Sequence, residues 1–70
     1  MTVREKEVLQ YITKFKVVNG YAPTISEIMD GVNTNSRNFV DLCLCHLERE
    51  GYITMKPKSP RTIVVKKFIS

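Results

Sequence analysis

The stretch "TISEIMDGVNTNSRNFVDLCLCHLEREG", residues 24–51, determines the predicted fold. Its first residues, Thr24 and Glu27, have the T-x-x-E spacing of a capping box, in which two side chains satisfy free N–H groups at the start of a helix. A helix of barely two turns follows and ends at Gly31. The apolar residues on one side of this helix are Ile25, Ile28, Met29 and Val32. Because so short a helix is not stable alone, we expect it to pack against its neighbours.

The second half of the same stretch predicts a longer helix. Its candidate N-caps are Thr34, Asn35 and Ser36, of which we favour the last. Its predicted buried stripe consists of Val40, Cys43, Leu44 and Leu47. Gly51 ends this helix. Two helices joined by a glycine-containing turn are typical of a helix-turn-helix.

An amphipathic helix precedes these two. Thr2 and Glu5 repeat the T-x-x-E spacing, and Asn19 with Gly20 provides a left-handed stop. The apolar residues that recur at helical spacing are Val8, Tyr11, Ile12, Phe15 and Val18. We therefore predict an amphipathic first helix, against which the short second helix packs.

Two short runs that alternate apolar and polar residues follow the helices. They are Tyr52–Met55 and Thr62–Val65, and prolines at 57 and 60 between them force a turn. These runs predict a β-hairpin. The order helix, helix, helix, hairpin predicts one α+β domain over residues 1–70, a winged helix-turn-helix.

Positive charge is concentrated at the C-terminal end. The net charge is +4, the isoelectric point is about 9.3, and residues 54–70 contain five cations and no acid. The hairpin tip would carry Lys56, Lys58 and Arg61 into solvent, with no opposite charge nearby. Such a tip favours contact with a polyanion such as nucleic acid. The alternative is solvated surface charge that serves solubility.

The sequence lacks the residue patterns that are typical of membrane proteins, metal-binding proteins and enzymes. No apolar run approaches the length of a membrane span, and the N-terminus has no apolar signal region, so we predict a cytoplasmic protein. Cys43 and Cys45 lie two apart on a helix and can neither bridge nor share a metal, and His46 completes no ligand set. We expect reduced thiols, no metal and no cofactor. Without a Ser-His-Asp set, phosphate loop or carboxylate pair, we expect no enzyme.

Three separated segments resemble one family. "GYAPTISEI", "HLEREGYI" and "KPKSPRTIVV" are similar, in this order, to segments of the amino-terminal domains of LexA-type repressors. The resemblance covers about residues 3–65. It implies a winged helix-turn-helix that binds palindromic operators in double-stranded DNA as a homodimer and regulates transcription, most simply as a repressor.

LexA repressors also contain a protease-like domain with a catalytic serine and lysine, which these 70 residues do not include. The resemblance therefore does not extend to self-cleavage. The chain is either a fragment or a free-standing small regulator. Met1 directly before the first cap and the tail "KKFIS" favour the second alternative.

The resemblance implies which residues contact DNA. The candidates for base contacts are Ser36, Asn38, Phe39, Asp41 and Leu42. Asn38 can bond adenine through two hydrogen bonds, Asp41 can accept from cytosine, and Phe39 and Leu42 can meet thymine methyl groups. The candidates for backbone contacts are Thr24, Ser26, Lys58 and Arg61, with Lys56, Lys66 and Lys67 as secondary ones. The alternative for these residues is ordinary solvated surface, or a rim contact of the core for Phe39.

A second hypothesis is a small winged-helix module that binds another regulator or a replication protein. It is favoured by the expected exposure of Leu42, Cys45 and Phe68 and by the acids on the third helix. Leu42 and the pair Phe68–Ile69 are also candidate contacts between two copies of the chain, although single exposed apolar residues are common on any surface.

Overall fold

The computed structural model describes residues 2–56 and 61–67, and the structural statements below refer to those residues. Three helices are followed by a two-stranded antiparallel hairpin, which confirms the predicted α+β winged helix-turn-helix. The elements are α1 (Val3–Asn19), α2 (Ile25–Gly31), α3 (Arg37–Arg49), β1 (Ile53–Thr54) and β2 (Val64–Val65). No helix in this part of the chain is both long and apolar enough to cross a bilayer.

Each helix begins at its predicted cap. Thr2 caps α1 and Thr24 caps α2, both in complete capping boxes. In the second box the Thr24 N–H donates to Glu27 Oε1 at 2.8 Å, and the Glu27 N–H donates to Thr24 Oγ1 at 3.2 Å. Ser36 caps α3 by accepting a hydrogen bond from the Phe39 N–H at 3.1 Å. The helix starts follow from local side-chain chemistry, which explains why the sequence predicted them.

One apolar core joins the three helices and the hairpin. The stripe predicted on α3 is buried throughout, and Ile53 and Ile63 bring the hairpin into the same cluster. The buried apolar residues are Val8, Leu9, Ile12, Ala22, Ile28, Val32, Val40, Cys43, Leu44, Leu47, Ile53 and Ile63. Full burial of one valine, leucine or isoleucine side chain contributes about 1.5–3 kcal/mol. The core fixes α3 in place and leaves its opposite side uncovered.

The buried side of α1 differs from the prediction at one end. Val18, predicted on the buried stripe, is 71% exposed, whereas Leu9 is buried. Ten helical residues rotate Val18 by about 80° away from Val8, toward the side opposite Leu9. The predicted buried stripe of α1 therefore included one residue too many at its C-terminal end, Val18.

Gly31 is the last residue of α2 and lies against α1. A Cβ built on Gly31 would overlap the ring of Tyr11. The prediction that α2 ends at this glycine is confirmed, but the glycine is required by contact with α1. The close approach of α1 and α2 therefore requires glycine at position 31, because any larger residue would overlap the Tyr11 ring.

The hairpin has only two paired residues in each strand, and the Thr62 side chain adds hydrogen bonds beyond them. β1 and β2 pair antiparallel, with Ile53 opposite Val65. Beyond this pairing, the Lys56 N–H donates to Thr62 Oγ1 at 3.1 Å, and that hydroxyl donates to the Lys56 carbonyl at 3.3 Å. Residues 57–60, which include the predicted tip, lie outside the described residues.

Candidate nucleic-acid interface

The side of α3 that faces away from the core is exposed. Its residues lie opposite the buried stripe because successive helical residues are about 100° apart. We call this side the outer face of α3, formed by Asn38, Asp41, Leu42, Cys45 and Arg49. It is a polar surface with one large apolar side chain, Leu42, which is 53% exposed.

Three predicted base-contacting residues lie together on this outer face. Asn38 and Asp41 are exposed in the first two turns of α3, and Leu42 is next to them along the helix. The Asp41 carboxylate lies 3.8 Å from Arg37 Nε, so its charge is partly balanced. Amide, carboxylate and apolar groups are therefore available at one end of an uncovered helix, where base edges can be contacted.

The other two predicted base-contacting residues lie at the edge of this face. The Ser36 hydroxyl accepts the capping hydrogen bond described above, which leaves its O–H available as a donor. Phe39 is half-buried on the side toward α1, with the Arg4 guanidinium carbon 4.9 Å from its ring centroid. Sequence reasoning did not single out Arg4, which brings a cation from the first turn of α1 to the edge of α3.

A groove of about 310 Å³ separates α2 from the hairpin. Its lining residues are Pro23, Thr24, Ile25, Ser26, Arg37, Met55, Lys56, Arg61, Thr62 and Ile63. Ser26 and Lys56 are exposed, and the Arg37 side chain is 70% exposed. The predicted backbone-contacting residues Thr24 and Ser26 thus share a groove with two accessible cations.

Arg37 was missed by the sequence reasoning. It is the first residue of α3, directly after the Ser36 cap, and it lines the groove between α2 and the hairpin. Its position in the sequence could have indicated a DNA contact. Arg37 follows the Ser36 cap directly, at the end of the helix that the resemblance assigns to DNA contact. The other predicted wing cation, Lys58, lies outside the described residues.

Arg61 is exposed, as the sequence predicted, but it has an acidic partner that was not predicted. Its Nη1 lies 2.9 Å from Glu27 Oε1 and 3.1 Å from the Ala22 carbonyl oxygen, and its Nη2 lies 3.2 Å from Glu27 Oε2. The guanidinium carbon is 4.6 Å from the ring centroid of Tyr21. The prediction that no opposite charge is near Arg61 was therefore wrong, because the Arg61 side chain reaches across the groove to the start of α2.

The Glu27 carboxylate is held by two partners, one in the α2 cap and one on the hairpin. The Thr24 backbone N–H, followed by the Arg61 guanidinium, holds the pKa of Glu27 below its ordinary value, although partial desolvation opposes this. One carboxylate therefore serves both the cap of α2 and the contact with the hairpin. The carboxylate is therefore favoured in its charged form.

The two cysteines face opposite sides of α3, as their spacing predicted. Cys43 is buried in the core, where burial raises the pKa of its thiol, and Cys45 is exposed on the outer face. Both are free thiols. Within residues 2–56 and 61–67, no group of three or more His, Cys, Asp or Glu side chains is arranged to hold a metal ion.

The sequence model of the LexA DNA-binding domain matches residues 1–62 of the chain. The chain belongs to this family. The LexA-type domain is 34% identical over 68 residues to the LexA repressor of Corynebacterium jeikeium, covering 97% of this chain and 26% of that protein. It is 38% identical over 60 residues to the LexA repressor of Carboxydothermus hydrogenoformans, covering 86% of this chain and 29% of that protein.

A third relative gives the same result. The LexA repressor of Pseudarthrobacter chlorophenolicus is 40% identical to the LexA-type domain over 65 residues, which are 93% of this chain and 26% of that protein. The domain thus spans about a quarter to a third of the length of the curated relatives it matches. The resemblance inferred from three short segments is confirmed, and the family's winged helix-turn-helix accounts for the observed order of elements.

Proposed function

We propose that this LexA-type domain is a sequence-specific double-stranded DNA-binding transcriptional repressor that acts by occupying a promoter. The observation that carries the proposal is the outer face of α3, which is uncovered and lies next to a groove with the cations Arg37 and Lys56. A helix for base edges and a neighbouring cationic groove for phosphates are the two components that specific DNA binding requires. Membership of the LexA DNA-binding domain family supports the same function.

In this proposal α3 enters the major groove, which is wide enough to admit a helix. Asn38 bonds adenine through its amide, and Asp41 accepts from the amino group of cytosine. Leu42 contacts a thymine methyl group from the outer face, and Phe39 does so from its edge. Ser36 donates its remaining O–H at the start of the helix. Every one of these residues lies in the first two turns of α3 or at its cap.

The phosphates are contacted on both sides of the groove between α2 and the hairpin. Arg37 and Lys56 supply the charge, and Thr24 and Ser26 supply polar groups at the start of α2. Lys58 is a further candidate that lies outside the described residues, and Lys66 and Lys67 are secondary candidates. Arg61 lies at the same edge, but two hydrogen bonds hold it to Glu27 at 2.9 and 3.2 Å, whereas Arg37 lies 3.8 Å from Asp41.

We further propose that two copies bind one operator with two-fold symmetry. A single domain contacts only a half-site, and a half-site alone gives a small contact area and weak specific binding. A dimer would place two α3 helices in successive major grooves on one side of the duplex. The net charge of +4 would attract each copy to DNA before the specific contacts form.

The salt dependence of DNA affinity tests this function. A labelled pool of duplexes is titrated at several salt concentrations with the unmodified protein and with Arg37→Ala, Lys56→Ala and Lys58→Ala. Each lost phosphate contact is expected to reduce the slope of log affinity against log salt by about one unit. Lys14→Ala is the matched control, because Lys14 is an exposed cation of α1 that does not line the groove.

A protein-interaction module is the second candidate function. The exposure of Leu42 and Cys45, beside the exposed acids Asp41 and Glu48 on α3, is the observation that favours it. Such a module would bind every duplex weakly and with little dependence on salt. That result, with equal slopes for all three alanine variants and the control, would contradict the proposed DNA-binding function.

A further inference from the structure

One guanidinium connects the hairpin to the start of the helix-turn-helix. Arg61 is the first described residue after the segment 57–60, and it has a left-handed backbone conformation with φ of 58°. Its side chain makes two hydrogen bonds to the Glu27 carboxylate and one to the Ala22 carbonyl, and it stacks on Tyr21. Arg61 therefore contacts both the cap region of α2 and the loop that precedes it.

We propose that Arg61 is a positioning residue, which holds the hairpin against α2 through Glu27 and so fixes the width of the groove for the DNA backbone. This inference rests on the proposed function, and it assigns to Arg61 a role other than the phosphate contact predicted from the sequence. The phosphate charge then comes from Arg37 and Lys56, which line the same groove, whereas the Arg61 guanidinium, although also exposed, is held by Glu27.

The geometry of the contact requires arginine. A guanidinium presents two parallel N–H groups that match the two oxygens of a carboxylate, and it also stacks on an aromatic ring. Arg61 uses both properties at once, with Glu27 and with Tyr21. A lysine at this position would keep the positive charge but lose the paired geometry and most of the stacking.

The capping box of α2 orients Glu27 independently of Arg61. Its Oε1 accepts the Thr24 N–H at 2.8 Å as part of the capping box of α2. The carboxylate therefore has a fixed position relative to α2, and the Arg61 side chain transfers that position to the hairpin. The Glu27 side chain therefore couples the capping box of α2 to the position of the hairpin.

The hairpin needs such a contact because its own pairing is short. Each strand has two residues, and an isolated two-stranded hairpin is marginally stable at best. At its base it is held by the buried residues Ile53 and Ile63 and by a hydrogen bond from Lys16 Nζ to the Ile63 carbonyl at 3.3 Å. Arg61 supplies an anchor closer to the tip, beside the groove.

A phosphate contact and a positioning role predict opposite results for the variant Glu27→Gln. If Glu27 only competes with DNA phosphates for Arg61, then removing its charge frees the guanidinium and strengthens DNA binding. If the pair positions the hairpin, the same variant weakens DNA binding, even though it removes a negative charge from the protein. Glutamine can still complete the capping box, so the cap of α2 is kept.

The first experiment uses the protein without DNA. Nuclear magnetic resonance relaxation of the Thr62 and Ile63 backbone amides is measured in the unmodified protein, in Glu27→Gln and in Arg61→Lys. Both variants are expected to increase the motion of these amides. Asp30→Asn is the matched control, because it removes an exposed negative charge from the same helix at a position outside the pair. Unchanged amide motion in both variants would overturn the inference.

The second experiment measures DNA affinity of the same proteins. We expect Glu27→Gln and Arg61→Lys each to weaken binding by about two- to fivefold, the size of effect that exposed ion pairs produce. The double variant should lose no more than either single one, because both changes break one contact. Tighter binding by Glu27→Gln would overturn the inference. Absence of salt-dependent binding by the unmodified protein would instead refute the proposed function, while the relaxation measurement would still decide whether Arg61 holds the hairpin.

Discussion

His46 Nδ1 lies 2.8 Å from Glu5 Oε2 and so joins the last turn of α3 to the first turn of α1. Glu5 is only 7% exposed and also completes the capping box of α1 with Thr2. The hydrogen bond from His46, with a smaller contribution from the Thr2 backbone, holds the pKa of Glu5 below its ordinary value of 4.5, although burial opposes this. The charged carboxylate is therefore part of the folded structure.

The lowered pKa of Glu5 predicts a loss of stability in acid. A group whose pKa is lower in the folded state contributes stability above its ordinary pKa, and that contribution disappears as the pH falls through the folded value. We therefore expect Glu5→Gln to be less stable than the unmodified protein at pH 7 and to approach it below pH 4.5. Urea unfolding at several pH values measures the difference in the free energy of unfolding. The control is Glu7→Gln, which changes an exposed residue of the same helix. A stability difference that does not change with pH would contradict the role of the Glu5 charge.

Gly31→Ala is expected to destabilise the protein although alanine is the better helix former. The added methyl group overlaps the Tyr11 ring, and such overpacking costs about 1–3 kcal/mol. Thermal unfolding measures the change. The control is Ser26→Ala on the exposed side of the same helix, which should change the free energy of unfolding by less than about 0.5 kcal/mol. An unchanged or increased stability of Gly31→Ala would show that α1 and α2 do not approach this closely.

Two leucines of α3 are expected to respond differently to truncation. Leu44 is 2% exposed, so Leu44→Ala should lower the free energy of unfolding by about 2–5 kcal/mol. Leu42 lies on the outer face, so Leu42→Ala should change it by less than about 0.5 kcal/mol and should affect DNA binding. Chemical denaturation of the two variants compares them directly. Equal losses of stability would mean that the outer face is covered.

The elements that the sequence predicted correctly depend on near neighbours in the chain. Capping boxes, the Ser36 cap and the glycine stops at Gly20 and Gly51 each involve residues within a few positions of one another. The Arg61–Glu27 pair joins residues 34 positions apart, and only the fold of the domain, which places the hairpin across a groove from α2, brings them together. No local spacing contains that information.

The candidate site was likewise predictable in part. The buried stripe of α3 predicted Asn38 on the opposite side, and the resemblance added Asp41 and Leu42. All three residues are exposed. The cations beside them were harder to predict, because Arg4 reaches Phe39 from α1 and Arg37 reaches the groove beside the hairpin. These positions depend on how separate elements pack. Their contacts with DNA remain predictions.

Asn38→Ala is expected to reduce discrimination between DNA sequences more than it reduces affinity for DNA in general. A paired amide contact with adenine provides about 1–3 kcal/mol of discrimination against the wrong base. Competition titrations with a preferred duplex and with duplexes changed at single base pairs measure the effect. Lys56→Ala is the comparison, since a lost phosphate contact weakens binding to all sequences alike. A uniform loss with Asn38→Ala would contradict its proposed base contact.

The central claim, that the outer face of α3 contacts base edges, is tested most directly by selection from a pool of randomised duplexes. The unmodified protein should enrich a shared sequence with two-fold symmetry, and Asn38→Ala should relax the preference at one position of each half-site. A pool that remains random after repeated selection, at a salt concentration where the protein still binds DNA, would contradict the claim.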